Sequence, residues 1–253
     1  MKRLLLVLGL FAVLATPAAS ATRSTPKINV YAAASLVNVF PAIDAKETYQ
    51  FAGSNTLATQ IKNGAPADVF ASANMTLPQQ LHDAGYCSKP IVFTRNKLVI
   101  VVPSSNPAHI SSIYDLTKKD VTVDVAAPGV PVGTYTVQIL DNMNLYNAVE
   151  ANVVSQETDV TTVLAHVTSG QVDAGFVYST DAKSVPGKVK VIKIPAWAQP
   201  KVKYGICVVS ASTNKTAAHA FIRRVLSAKG QLKLRKYGFL PRVKPHHHRH
   251  RHT

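Results

Sequence analysis

Two serines stand where an apolar run gives way to small residues. Ser35 closes VYAAAS and Ser54 follows FAG, while Val132 lies in VPVG and Val160 in ETDV. Each junction follows a strand-like stretch and opens a segment with apolar residues at helical spacing. The first amides of a helix have no acceptor within it, and the helix dipole adds partial positive charge there. Four such openings aimed at one point would bind an anion, with the serine hydroxyls as further donors. The alanines at 32–34 and Gly53 would let a ligand come close to the backbone. Ordinary structural readings stand beside these. Ser35 and Ser54 also fit helix caps, worth about 1 kcal/mol each. Asp159 fits a cap whose carboxylate turns back to the amides of Thr161 or Thr162, leaving the Val160 N–H free. Tyr178 also fits a core tyrosine at a strand end, its hydroxyl partnered as buried phenols usually are.

The elements that must carry these residues alternate. Strands are expected at 27–32, 49–52, 68–72 and 98–102, with helices at 35–46, 56–63 and 75–84 between them. The stretch PSSNP at 103–107 reads as a break and a candidate linker. A second set follows, with strands at 120–126, 152–156, 173–178 and 189–194, a loop at 128–133, and helices at 134–142 and 159–169. Residues 201–210 form another long strand, and two helices at 215–226 and 228–237 need a sheet to cover. The economical arrangement is two α/β lobes joined by two crossings, with a cleft between them. Residues 22–104 and 205–244 would form the first lobe and 105–204 the second. Ligands of such folds bind beyond the carboxyl ends of the strands.

Composition narrows the class. The chain has 253 residues, 47% of them hydrophobic, enough for one large or two moderate cores. Residues 1–21 read as a secretory signal peptide: Lys2 and Arg3, an apolar run, then Ala19-Ser20-Ala21. No later stretch approaches the roughly 20 apolar residues of a membrane span. A soluble, exported monomer is expected. The formal charge of +15 suits a solubilising surface, or association with anions, anionic lipid or nucleic acid. No RNA-binding aromatic motif or zinc-finger spacing supports the nucleic-acid reading. Enzymatic signatures such as G-x-S-x-G and the phosphate-binding G-x-x-x-x-G-K-[ST] are absent. His82, His109, His166 and His219 lack zinc-ligand spacing, so neither catalysis nor a cofactor is expected. Cys87 and Cys207 could form a disulfide after export or remain buried thiols. The tail at 245–253, with His246, His247 and His248, reads as a flexible basic segment with at most weak metal binding.

The stretches AAASL, FAGSNTLATQIKNGAPADVFASA, VPVG, ETDV, GFVYSTDA and KYGFLP occur in order across nearly the whole mature chain. Together they resemble the periplasmic molybdate-binding proteins of ABC-type molybdate importers. That resemblance implies a two-lobed type II periplasmic binding protein fold with mostly parallel sheets. It also implies a tetrahedral oxyanion held by hydrogen bonds alone and delivered to a membrane permease. Carried over motif by motif, the site would use the hydroxyl and amide of Ser35 and of Ser54, the amides of Val132 and Val160, and the Tyr178 phenol. The family often has alanine where Val132 stands, which an amide donor tolerates. No lysine or arginine falls on a matched position. Molybdate and tungstate would bind alike, and smaller sulfate would leave donors at long distance. A same-fold receptor for sulfate or phosphate is the alternative.

Overall fold

The computed structural model describes residues 26–242; the expected signal peptide at 1–21 and the tail at 245–253, with His246, His247 and His248, lie outside them. The first set of elements runs β1 (Asn29–Ala33), α1 (Val39–Ile43), β2 (Thr48–Ala52), α2 (Ser54–Lys62), β3 (Val69–Ser72), α3 (Thr76–Asp83) and β4 (Ile91–Arg95). The second runs β5 (Leu98–Pro103), β6 (Val123–Ala126), α4 (Pro131–Asn142), α5 (Tyr146–Glu150), β7 (Val153–Glu157), α6 (Val160–Ser169), β8 (Ala174–Tyr178), α7 (Ser179–Ser184) and β9 (Val189–Ile192). The chain closes with β10 (Lys203–Val208), α8 (Lys215–Leu226) and α9 (Ala228–Lys236).

Two five-stranded sheets result, ordered β2-β1-β3-β10-β4 and β7-β6-β8-β5-β9. Their plan is the same. Three adjacent strands run parallel, the fourth runs against them, and the fifth is antiparallel to the fourth. The reversed strand in each, β5 or β10, is the first after the chain crosses from the other sheet. The fold is the two-lobed α/β architecture with two crossings, its sheets mostly parallel.

One boundary differs from expectation. Residues 98–104 were assigned to the first lobe, yet β5 pairs with β8 and β9 in the second sheet. The crossing therefore falls at Asn96-Lys97; Pro103 of PSSNP ends β5, and residues 104–107 turn beyond it. Every residue of β5 is buried. Such a run fits the middle of any covered sheet, so apolarity could not tell which. The return crossing lies just before β10, which begins at Lys203.

Local chemistry explains other departures. No single helix spans 35–46. A short 3-10 turn (Ala34–Leu36) is followed by α1. Pro41 has no N–H to give to Val37, and its ring would collide with that carbonyl in a continuous helix. Helix α4 starts at Pro131, a favoured first position, so Val132 is inside a helix and not in a loop. The unpredicted strand β4 presents Phe93 and Thr94 inward and Ile91 outward. Tyr204, on β10, meets Phe93, Phe239 and Tyr178 edge-on at ring separations of 6.0, 5.6 and 5.7 Å. This aromatic cluster packs the first half of the molecule against the end of β8. Both cysteines are free and buried in one apolar cluster, Cys207 on β10. Among the described residues no helix is long and apolar enough to cross a membrane.

Candidate functional site

The carboxyl ends of β1, β2 and β3 and those of β6, β7 and β8 converge on one small cavity. Ser35, Ser54, Val132, Val160 and Tyr178 all line it, with Gly53, Pro131, Asp159 and several alanines. Its volume is about 20 Å³. That excludes sugars, amino acids and nucleotides in this closed arrangement, because pockets for organic ligands start near 300 Å³. A compact inorganic ion is the fitting class of guest.

Neither serine caps a helix. Ser54 is the first residue of α2, whose cap position is Gly53, and no side-chain cap bond is made at either Ser35 or Ser54. Their oxygens are used elsewhere. The Ala73 amide donates to Ser54 Oγ at 3.1 Å, and Ser35 Oγ lies 2.9 Å from Tyr204 Oη. With its oxygen accepting from Ala73, the Ser54 hydroxyl has its proton left for the cavity. Asp159 does cap α6, accepting from the Thr161 and Thr162 amides at 2.8 and 3.1 Å. Those bonds occupy the carboxylate and leave the Val160 amide, at the first helical position, without an intrahelical acceptor. Val132, second in α4, and Ser54, first in α2, are in the same position.

Tyr178 is the element that structure adds most to. It is 1% exposed, and its hydroxyl has no hydrogen-bond partner among the described residues. Leaving a buried hydroxyl unpaired costs about 1–3 kcal/mol, so the expected partnered core tyrosine is not what is found. Tyr178 lines the cavity, where a bound acceptor would satisfy this donor. Burial pushes the phenol well above its ordinary pKa, so it stays a neutral donor.

Gly53 has a second reason to be small. A Cβ there would lie 2.3 Å from the Thr158 carbonyl oxygen, on the opposite side of the cleft. Its φ of −56° is open to any residue, so the glycine is required by contact across the cleft and not by backbone conformation.

Among the described residues no lysine or arginine lines the cavity. The donors are amides and hydroxyls, which suit an anion that is fully deprotonated. A larger crevice of about 290 Å³ lies on the far side of Ser35, lined by Asn38, Asp181, Lys183 and Lys236 among others. Asp181 is buried there, and burial is the main cause that raises its pKa from 3.8 to about 7, opposed by the Tyr178 amide and helped by the Asp159 charge. His166 pairs with buried Asp124 at 2.7 Å and approaches Glu157 at 3.6 Å. None of these three lines the cavity. Asn96 and Tyr204, which support Ser35, carried no local signal: they are 108 residues apart.

Comparison with known proteins follows the same line. Residues 28–240 match the family described as bacterial extracellular solute-binding protein. The chain is 37% identical over 235 residues to the molybdate-binding protein ModA of Mycobacterium tuberculosis, covering 89% of this chain and 88% of that one. Among solved structures, the periplasmic molybdate-binding protein of Azotobacter vinelandii superposes with a TM-score of 0.76 at 19% identity, over 86% of this chain and all of that one. The sulfate-binding protein SubI of Mycobacterium tuberculosis superposes with a TM-score of 0.75, also at 19% identity, over 87% of this chain and 88% of that one. The two structural likenesses define the fold and do not separate the anions.

Proposed function

We propose, since this chain belongs to the bacterial extracellular solute-binding proteins, that it captures molybdate or tungstate and hands it to an ABC importer. It is a binding protein and not an enzyme, as its relatives are, and it works outside the cytoplasm. We place it in the periplasm, exported by the leader at 1–21, acting as a monomer and docking on a membrane permease. The observation that carries the ligand assignment is the cavity itself: donors from both halves converge on it and, among the described residues, no cationic side chain does. The 37% identity to a molybdate-binding relative favours molybdate over sulfate, where fold likeness is neutral.

The mechanism follows from the division of donors. Ser35 and Ser54 stand on the first half, and Val132, Val160 and Tyr178 on the second. An open form takes the anion on one half, and closing adds the other donors while Gly53 meets Thr158. The anion's binding energy thereby shifts the equilibrium toward the closed form. Dehydration is offset by hydrogen bonds to a charged acceptor, each worth about 1.5–3 kcal/mol. Sulfate, being smaller, leaves two or three of these bonds long. Isothermal titration with molybdate, tungstate, sulfate and phosphate tests the reading. Molybdate and tungstate should bind one to one, with sulfate at least about a hundredfold weaker. Comparable sulfate binding would move the assignment to the alternative receptor.

A further inference from the structure

We infer that Asn96 is the positioning residue that makes Ser35 a hydrogen-bond donor to the cavity, acting through Tyr204, and so sets selectivity against oxyanions that carry a proton. The inference rests on the reading that the cavity holds a fully deprotonated oxyanion.

Asn96 is buried at the first crossing, between β4 and β5. The Lys97 amide donates to its Oδ1 at 3.0 Å. A backbone N–H can only donate, so this contact fixes which side-chain atom is oxygen. The Ser179 hydroxyl donates to the same oxygen at 3.1 Å. The other atom is therefore the NH2 group, 2.9 Å from Thr180 Oγ1 and 3.3 Å from Tyr204 Oη. An amide NH2 has no lone pair to offer, so both contacts are donations by Asn96. Tyr204 Oη then accepts from Asn96, and of its contacts within hydrogen-bond distance the one left to take its own proton is Ser35 Oγ at 2.9 Å. Ser35 accepts that proton, and its own is left for the cavity it lines.

The surroundings hold the relay in this state. Tyr204 is fully buried, and burial raises its phenol well above the ordinary value, so the donated proton is not lost near neutrality. Its ring is wedged by Phe93, Phe239 and Tyr178. The Asn96 amide N–H donates to the Val202 carbonyl at 3.2 Å, tying one crossing to the other. Thr180 and Ser179 belong to the second half and Tyr204 to the first, so Asn96 completes the relay only where the halves meet. A ligand hydroxyl opposite Ser35 would face another donor and lose its bond.

Asn96→Asp tests this with a near-isosteric change. The Lys97 and Ser179 bonds are kept, but the NH2 becomes an acceptor. Tyr204 turns its proton to residue 96, Ser35 donates to Tyr204, and a lone pair faces the cavity. Calorimetry at pH 8 compares molybdate with hydrogen phosphate. Molybdate should weaken about ten- to hundredfold, and the deficit of hydrogen phosphate relative to molybdate should shrink at least about tenfold. The added negative charge weakens both dianions alike and leaves their ratio unchanged. Tyr204→Phe removes the relay without adding charge and should weaken molybdate about three- to tenfold; it decides the matter if Asn96→Asp does not melt as a folded protein. A deficit unchanged within about threefold in Asn96→Asp, or wild-type molybdate affinity in Tyr204→Phe, would overturn the relay while the site stands. No molybdate binding by the wild-type chain would overturn the site, and the relay with it.

Discussion

Gly53→Ala should separate binding from folding. The new Cβ would sit 2.3 Å from the Thr158 carbonyl oxygen, whereas a relaxed carbon–oxygen contact is about 3.3 Å. The two halves must therefore part by about 1 Å at this point. A hydrogen bond of about 2.9 Å stretched by that amount is no longer one. Val160 lies two residues beyond Thr158, so its amide is the first donor lost. One bond to a charged acceptor is worth about 1.5–3 kcal/mol, or about ten- to 150-fold in affinity, and more if Tyr178 retreats as well. The unliganded fold should not suffer. Alanine is at ease at φ −56° and ψ 136°, and it narrows the unfolded ensemble by about 0.4–1 kcal/mol. Titration calorimetry should thus show at least tenfold weaker molybdate binding, while the unliganded melting temperature holds or rises slightly. Affinity within about threefold of wild type would refute the claim that this contact completes closure.

Two further variants probe the cavity and its border. Tyr178→Phe removes a hydroxyl that is buried and unpaired in the closed form; in the open, unliganded form it meets water, so the unliganded melting temperature should hold while molybdate binds at least about tenfold more weakly; a fall in melting temperature would show that the hydroxyl is already partnered. Asp181→Asn tests a pH dependence. The folded pKa of about 7 exceeds the ordinary 3.8, so between about pH 4 and 7 the folded chain keeps a proton that the unfolded chain has released, and stability falls as pH rises. Asparagine removes that slope, so its gain in melting temperature over wild type should be near zero at pH 4 and reach its full size by pH 8. An equal gain at both pH values would contradict the burial of an ionisable carboxyl at this position.

The parts of the site that sequence revealed are those written in local chemistry. Ser54 at a glycine-led helix start, Asp159 two residues before a pair of threonine amides, and Pro131 opening α4 are features of a few adjacent residues. Their convergence followed from the alternation of strands and helices, because carboxyl ends of parallel strands share one side of a sheet. What escaped was long range or symmetric. β5 is apolar on both faces and would suit either sheet. Tyr204 meets Ser35, and Asn96 meets Tyr204, only after the second crossing returns the chain. Gly53 was expected to be small for a ligand's sake, yet the atom nearest its missing Cβ is a carbonyl from the opposite half. The serines as caps and Tyr178 as a satisfied core residue were the commoner readings of those residue types. The structure departs from them: the serine oxygens bond Tyr204 and Ala73, the Tyr178 hydroxyl has no partner among the described residues, and all three residues line one cavity.

The central claim is that an intact oxyanion sits among Ser35, Ser54, Val132, Val160 and Tyr178. A crystal of the full chain grown with tungstate, with tungsten located by its anomalous scattering, tests it most directly. The account predicts one strong peak in the small cavity, with hydroxyls and amides of those five residues about 2.7–3.2 Å from the four oxygens. A peak in the larger crevice beside Lys183 and Lys236, with the small cavity holding only water, would contradict it.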